Sequence, residues 1–201
     1  MIVNKSELSK ILVSNNILKF GSFTLKSGAK SWFYVDLRLI PSIPEVFNYV
    51  IESYVAKINE LDTIDAVAGI AVAGIPFSSV IGYKLNLPSL IVRKQSKDYG
   101  LQKMVEGRAK EKSTILLIDD VITTGGSKTP AILALRENNY VVKDLLVLID
   151  RSEGKAEELK NQGVTVHSVA KIEEIFEECL NLSDEDISPN VKEIIRNNFK
   201  N

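Results

Sequence analysis

The sequence predicts an α/β fold, with a mainly parallel sheet flanked by helices and a small hairpin ahead of it. Short apolar runs at residues 64–70, 89–92, 114–118, 141–149 and 164–169 are too brief for stable helices and read as buried strands. Segments with helical spacing lie between them, and strands alternating with helices argue for parallel pairing with ligands at the strands' carboxyl ends. A length of 201 residues with 45% hydrophobic content suits one compact domain with a sizeable core.

Residues 5–18 place Leu8, Ile11, Leu12 and Leu18 at approximate helical spacing, with Ser6 as the expected cap. Residues 20–38 read as two strands around a turn at 26–31, a hairpin that stands as a separate flap. Pro44 opens a helix to about Asn59, and small residues at 71–76 make a tight loop from which Pro76 starts a helix to about Leu85. Further helices are expected at 128–138 and 156–162, and the last thirty residues are helical in pattern. The stretch 173–187 carries seven acidic and no basic side chains, which suits a solvated face or a basic surface of a partner subunit. The expected division is a single domain over 1–201. It comprises an N-terminal helix and hairpin hood at 1–40, an α/β core at 41–170 with a mobile loop at 93–113, and C-terminal helices at 171–201.

Several function classes are disfavoured by composition. A formal charge of −1 recruits neither nucleic acid nor an anionic membrane. One cysteine, Cys179, excludes an internal disulfide framework and sits in an acidic pattern that suits packing rather than nucleophilic attack. No leader-like apolar segment opens the chain and no run reaches membrane-spanning length, so a soluble cytoplasmic protein is expected. The single histidine, His167, lies in an alternating strand pattern that suits a structural role.

Residues 114–127 carry the clearest chemistry. After the apolar run come Asp119 and Asp120, then Val121 and Ile122, then Thr123, Thr124, Gly125, Gly126 and Ser127 at the start of a helix. Glycines let backbone amides turn inward, while the hydroxyls add donors at the positive end of a helix, which together make a phosphate cradle. Carboxylates beside it would repel phosphate unless they bind something else. A vicinal diol of a ribose is the natural guest, with its 5-phosphate a few residues on.

The 21 residues between the strands at 89–92 and 114–118 have weak periodicity, and a connection this long in a compact domain is usually a lid or a binding loop. Seven basic residues against three acidic ones make it strongly cationic. Such a loop can close over a polyanion and neutralise leaving-group charge.

Taken together, these residues resemble the type I phosphoribosyltransferases, which share a Rossmann-like α/β fold, and within them the orotate phosphoribosyltransferase family. Residues 117–127 look like the motif for phosphoribosyl diphosphate, which alone identifies only the superfamily. The orotate branch is signalled by Thr24, Leu25, Lys26, Ser27 and Gly28 with residues 31–38, and by residues 93–100 with Glu106 and Gly107. The likeness extends from about Phe20 to Arg151.

The resemblance implies transfer of ribose 5-phosphate from phosphoribosyl diphosphate to N1 of orotate, giving orotidine 5′-monophosphate and pyrophosphate in pyrimidine biosynthesis, with Mg2+ carried by the donor. It implies that Asp119 and Asp120 hold the ribose hydroxyls and that residues 121–127 bind the donor, its 5-phosphate lying on Thr123, Thr124, Gly125, Gly126 and Ser127. Lys97 would aid pyrophosphate departure, with Arg93, Lys94 and Tyr99 also on the donor. Lys26, Tyr34, Thr123 and Arg151 match the orotate-side positions. It further implies a homodimer whose loop 93–113 reaches the neighbouring active site, and leaves association with orotidylate decarboxylase open. Two positions depart from the family pattern. Val72, Ala73 and Gly74 replace a Tyr-Lys-Gly found in some bacterial members, and Tyr99 replaces a frequent histidine, which shifts weight onto Lys97 and Lys94.

Rival readings fit less well. Purine or uracil phosphoribosyltransferases would share the central motif without the hairpin or the basic loop. A donor-sensing transcription regulator would keep the cradle, lose the catalytic lysine and carry a DNA-reading module. A dinucleotide-dependent dehydrogenase would need Gly-x-Gly-x-x-Gly after a strand, which this chain lacks.

Overall fold

The computed structural model describes residues 3–24, 28, 30–93 and 104–199. The chain divides into two compact units, one formed by Met1–Phe47 with Ala170–Asn201 and the other by Asn48–Val169.

In the first unit, helix α1 (Lys5–Ser14) begins one residue before the expected cap, because Asn4 Oδ1 accepts from the amide of Glu7 at 3.1 Å. It also stops at Ser14 rather than Leu18. Asn16 turns the chain with φ 54°, and Leu18 already opens β1 (Leu18–Thr24). Strand β1 pairs antiparallel with β2 (Lys30–Val35), as the hairpin pattern predicts. The C-terminal helices α6 (Ile172–Asn181) and α7 (Pro189–Phe199) belong to this same unit. Phe176 joins them to the hairpin, with ring centroids 4.7 Å from Trp32, 4.9 Å from Phe33 and 5.3 Å from Phe199. Part of the acidic stretch is met within the unit: Lys5 reaches Glu174 at 2.6 Å and Lys10 reaches Asp186 at 2.9 Å. Cys179 is buried, and burial pushes its thiol up to about 12.

The second unit carries most of helix α2 (Pro44–Ile58), with α3 (Gly74–Leu85), α4 (Thr129–Glu137) and α5 (Glu157–Asn161), around a sheet. Its strands are β3 (Ala66–Ile70), β4 (Ser89–Val92), β5 (Val105–Glu106), β6 (Thr114–Ile122), β7 (Val141–Asp150) and β8 (Thr165–Lys171). Among the described residues the sheet order is β5-β4-β3-β6-β7-β8, parallel from β4 through β7 and antiparallel at β5. Residues 115–119 of β6 are all buried, as befits a central parallel strand covered on both faces.

Two strand expectations are corrected. Strand β6 does not end at Ile118 but runs through both carboxylates to Ile122, because β7 continues alongside it and pairs Val121 with Ile149 and Ile122 with Asp150. The connection after β4 is not structureless throughout. Val105 is buried against the sheet edge and pairs with Val92, and Gly107, with φ 90°, turns the chain out of β5. Two residues are too few for periodicity to reveal a strand.

Candidate functional site

The carboxyl ends of β3, β6 and β7 bring together the residues of residues 119–127, the 71–74 turn and Arg151. Strand alternation sends the two neighbouring aspartates to opposite faces. Asp119 is 4% exposed, and its Oδ2 accepts from Lys128 Nζ while its Oδ1 accepts from the amide of Asp120 at 3.0 Å. Its main-chain carbonyl accepts from the buried Tyr54 hydroxyl of α2 at 2.7 Å. Asp120 is only part-buried, and its Oδ1 accepts from the amide of Val121 at 2.8 Å. Burial and the charge of Asp119 raise the Asp120 carboxyl to about 6, with Lys128 pulling the other way. The same burial, reinforced by both carboxylates, pushes Tyr54 well above the ordinary tyrosine range.

Past Ile122 the chain leaves the sheet. Thr123, Thr124 and Ser127 are exposed and Gly125 is buried with φ 87°, a backbone state that glycine adopts without cost. The amide of Lys128 donates to the Gly125 carbonyl at 2.8 Å, and α4 follows at once. Exposed hydroxyls and a turned glycine thus stand directly ahead of a helix N-terminus, in the order the sequence predicts. Space is tight behind it. A Cβ at Gly125 would lie 3.0 Å from Leu159 Cγ, and one at Gly126 would lie 3.0 Å from Glu158 Oε2. Glu158 Oε1 in turn accepts from Thr129 Oγ1 at 2.7 Å, so a carboxylate braces the first residue of α4.

The 71–74 turn lies against β6. A Cβ at Gly74 would lie 2.5 Å from the Ile118 carbonyl oxygen and 3.3 Å from both Cα and Oδ1 of Asp119. The peptide between Ala71 and Val72 is cis, and Val72 is 79% exposed. Helix α3 begins at Gly74, two residues before the expected start at Pro76.

On the other side of β6, the amide of Arg151 donates to the Ile122 carbonyl at 2.9 Å, which seats this residue beside the start of the cradle. Its guanidinium is partly buried, and that burial lowers its pKa. Arg93 follows β4, and its Nε donates to Glu106 Oε1 at 3.2 Å. Tyr34 belongs to the first unit, where its hydroxyl accepts from Arg38 Nη2 at 3.3 Å. Lys26, Lys94, Lys97 and Tyr99 lie outside the described residues. The structure thus assembles Asp119, Asp120, Val121, Ile122, residues 123–127 and Arg151 in the second unit.

Two participants escaped the sequence reading. Lys128 follows the cradle directly, and a cation at the otherwise uncharged opening of a helix was the available signal. Tyr54 sits 65 residues from Asp119 and gave none.

A family model described as "Phosphoribosyl transferase domain" matches residues 44–180. The orotate phosphoribosyltransferase of Pyrobaculum aerophilum is 42% identical over 170 residues, covering 84% of this chain and 88% of that protein. The chain belongs to the orotate phosphoribosyltransferase family. A crystal structure of the orotate phosphoribosyltransferase from Aeropyrum pernix superimposes with a TM-score of 0.78 at 33% identity, covering 85% of this chain and 97% of that one. The Leishmania donovani UMP synthase structure gives a TM-score of 0.80 at 29% identity over 96% of this chain, which spans 41% of that longer protein. The fold is the type I phosphoribosyltransferase fold expected from the sequence.

Proposed function

We propose that the chain transfers the ribose 5-phosphate group of phosphoribosyl diphosphate to N1 of orotate in pyrimidine nucleotide synthesis. The bond from C1 of the ribose to pyrophosphate breaks, the bond from C1 to N1 forms, and the N1 proton is lost. The carrying observation is the succession at the end of β6: two carboxylates on opposite faces, a turned glycine, three exposed hydroxyls and a helix start. That order suits a ribose diol followed by its 5-phosphate.

As pyrophosphate leaves, the ribose becomes oxocarbenium-like and charge accumulates on the departing group. Asp120 and Asp119 are proposed to fix the sugar, and the cradle to fix its phosphate. Lys97, with Lys94, Arg93 and Tyr99, is proposed to meet the leaving group. The Ala71–Gly74 turn offers main-chain groups on that side, since the Val72 side chain points to solvent. Lys26, Tyr34, Thr123 and Arg151 are proposed for orotate, whose planar carboxylate needs a cation and a flat face.

Mg2+ is proposed to arrive on the donor's diphosphate, where it supplies charge neutralisation. The residues fit that arrangement: Asp119 is already engaged by Lys128 and the Asp120 amide, which suits an ion that would take its oxygen ligands from the donor. A homodimer sharing loop 93–113 across subunits and a cytoplasmic location complete the proposal. Among the described residues no helix is long and apolar enough to cross a membrane. Contact with orotidylate decarboxylase would place the product beside its consumer. The test is loss of orotate absorbance with phosphoribosyl diphosphate and magnesium. Turnover that stops on chelation supports the reading, and no orotate loss under any condition refutes it.

A further inference from the structure

Lys128 stands one residue past the cradle, at the cap of α4, and is 7% exposed. A buried ammonium is costly unless paired, and this one is spent on Asp119 rather than left for an incoming phosphate. Asp119 is held from three directions: its side chain by Lys128 and the Asp120 amide, its carbonyl by Tyr54. The Asp120 carboxylate accepts from the adjacent amide of Val121 at 2.8 Å, and among the described residues no cation is bonded to it as Lys128 is to Asp119. Deepening the transfer reading, on which it rests, we propose that Lys128 is a positioning residue. It holds the Asp119 carboxylate in place and offsets its charge, so that the acidic pair meets a polyanionic donor as one uncompensated charge on Asp120 rather than two.

The physical argument is electrostatic. Two adjacent carboxylates in a partly buried site each disfavour the other's ionisation, and a nearby cation relieves both. Among the described residues, the titratable groups around Asp120 are Asp119 on its own strand, Lys128 from the start of α4 and Tyr54 from α2. Burial and Asp119 raise the Asp120 carboxyl, and Lys128 lowers it. Removing the cation while leaving Asp119 in place must therefore make Asp120 harder to ionise.

The test uses three variants of the full chain: Lys128→Met, Asp119→Asn and the two combined. Carboxyl 13C NMR of aspartate-labelled protein without substrate reads the Asp120 midpoint, and the acid limb of kcat/KM for the donor reads the same group in turnover. Lys128→Met should move both up by about one pH unit. Asp119→Asn should move the midpoint down, and adding Lys128→Met to it should move the midpoint back up. A loss of packing alone would scale the rate and leave both midpoints where they are, and that result in Lys128→Met overturns the proposal. If Lys128→Met does not fold, equal midpoints in Asp119→Asn and the double variant overturn it instead. The NMR titration needs no turnover, so failure of the transfer reading shows separately, as wild-type protein that consumes no orotate.

Discussion

Gly74 is where the structure leaves least room beside the acidic strand, and Gly74→Ala puts that fit to the test. The added Cβ would sit 2.5 Å from the Ile118 carbonyl oxygen, whereas ordinary contact begins near 3.4 Å, so turn or strand must give way by about 0.9 Å. Neither side yields easily. Ile118 is hydrogen-bonded into the middle of the sheet between β3 and β7, and the next residue is Asp119. Overpacking of this kind costs about 1–3 kcal/mol. In a chain of this length that lowers Tm by about 2–12 °C. A displacement approaching 1 Å at the reacting geometry costs about 100-fold in rate. The assay is kcat/KM for phosphoribosyl diphosphate from orotate consumption, alongside thermal unfolding. A folded variant with about 100-fold lower kcat/KM is expected. Wild-type kcat/KM together with a lowered Tm would show that the turn is packing only, and would refute its place in the site.

Val72→Ala, by contrast, removes a side chain that is 79% exposed, and should leave Tm unchanged and kcat/KM within about twofold. A larger loss would assign that side chain a role in donor binding. Asp120 makes stability depend on pH. Its carboxyl is raised from 3.8 to about 6, so between those values the folded state holds a proton that the unfolded chain releases, and stability falls as pH rises through that window. Asp120→Asn should abolish that fall and raise Tm at pH 7.5 while lowering kcat/KM by about 10–100-fold. Parallel Tm curves for the two proteins would contradict the assignment. For the shared loop, Lys97→Ala chains mixed with Asp120→Asn chains should regain about a quarter of wild-type activity, because half the dimers are mixed and each holds one intact site. No recovery after subunit exchange would count against sharing.

How much of this was legible in the sequence depends on how local each cause is. Apolar runs such as residues 115–118 and 145–149 announced central strands because burial on both faces demands them. The cradle was legible because Gly125 and the hydroxyls act through their immediate neighbours. The end of β6 was not, since Val121 and Ile122 remain in the sheet only because β7 continues beside them. Strand β5 was missed for the same reason: Val105 is extended because Val92 is there to pair with it. The N-cap was misplaced by two residues between Asn4 and Ser6, both good capping types. The acidic stretch 173–187 looked like a free surface because Lys5 and Lys10 are some 170 residues away in sequence. Tyr54 shows where local reading runs out at the site. Its importance lies in touching Asp119 from 65 residues away, and contact across the fold has no spacing to read.

The central claim is that this donor site serves orotate. The most direct measurement offers the wild-type chain equal amounts of orotate, uracil, adenine and hypoxanthine with limiting phosphoribosyl diphosphate and magnesium, and identifies the nucleotide formed. Orotidine 5′-monophosphate as the product is the expected result. A uridine, adenosine or inosine nucleotide in its place would contradict the assignment of the acceptor while leaving the donor site intact.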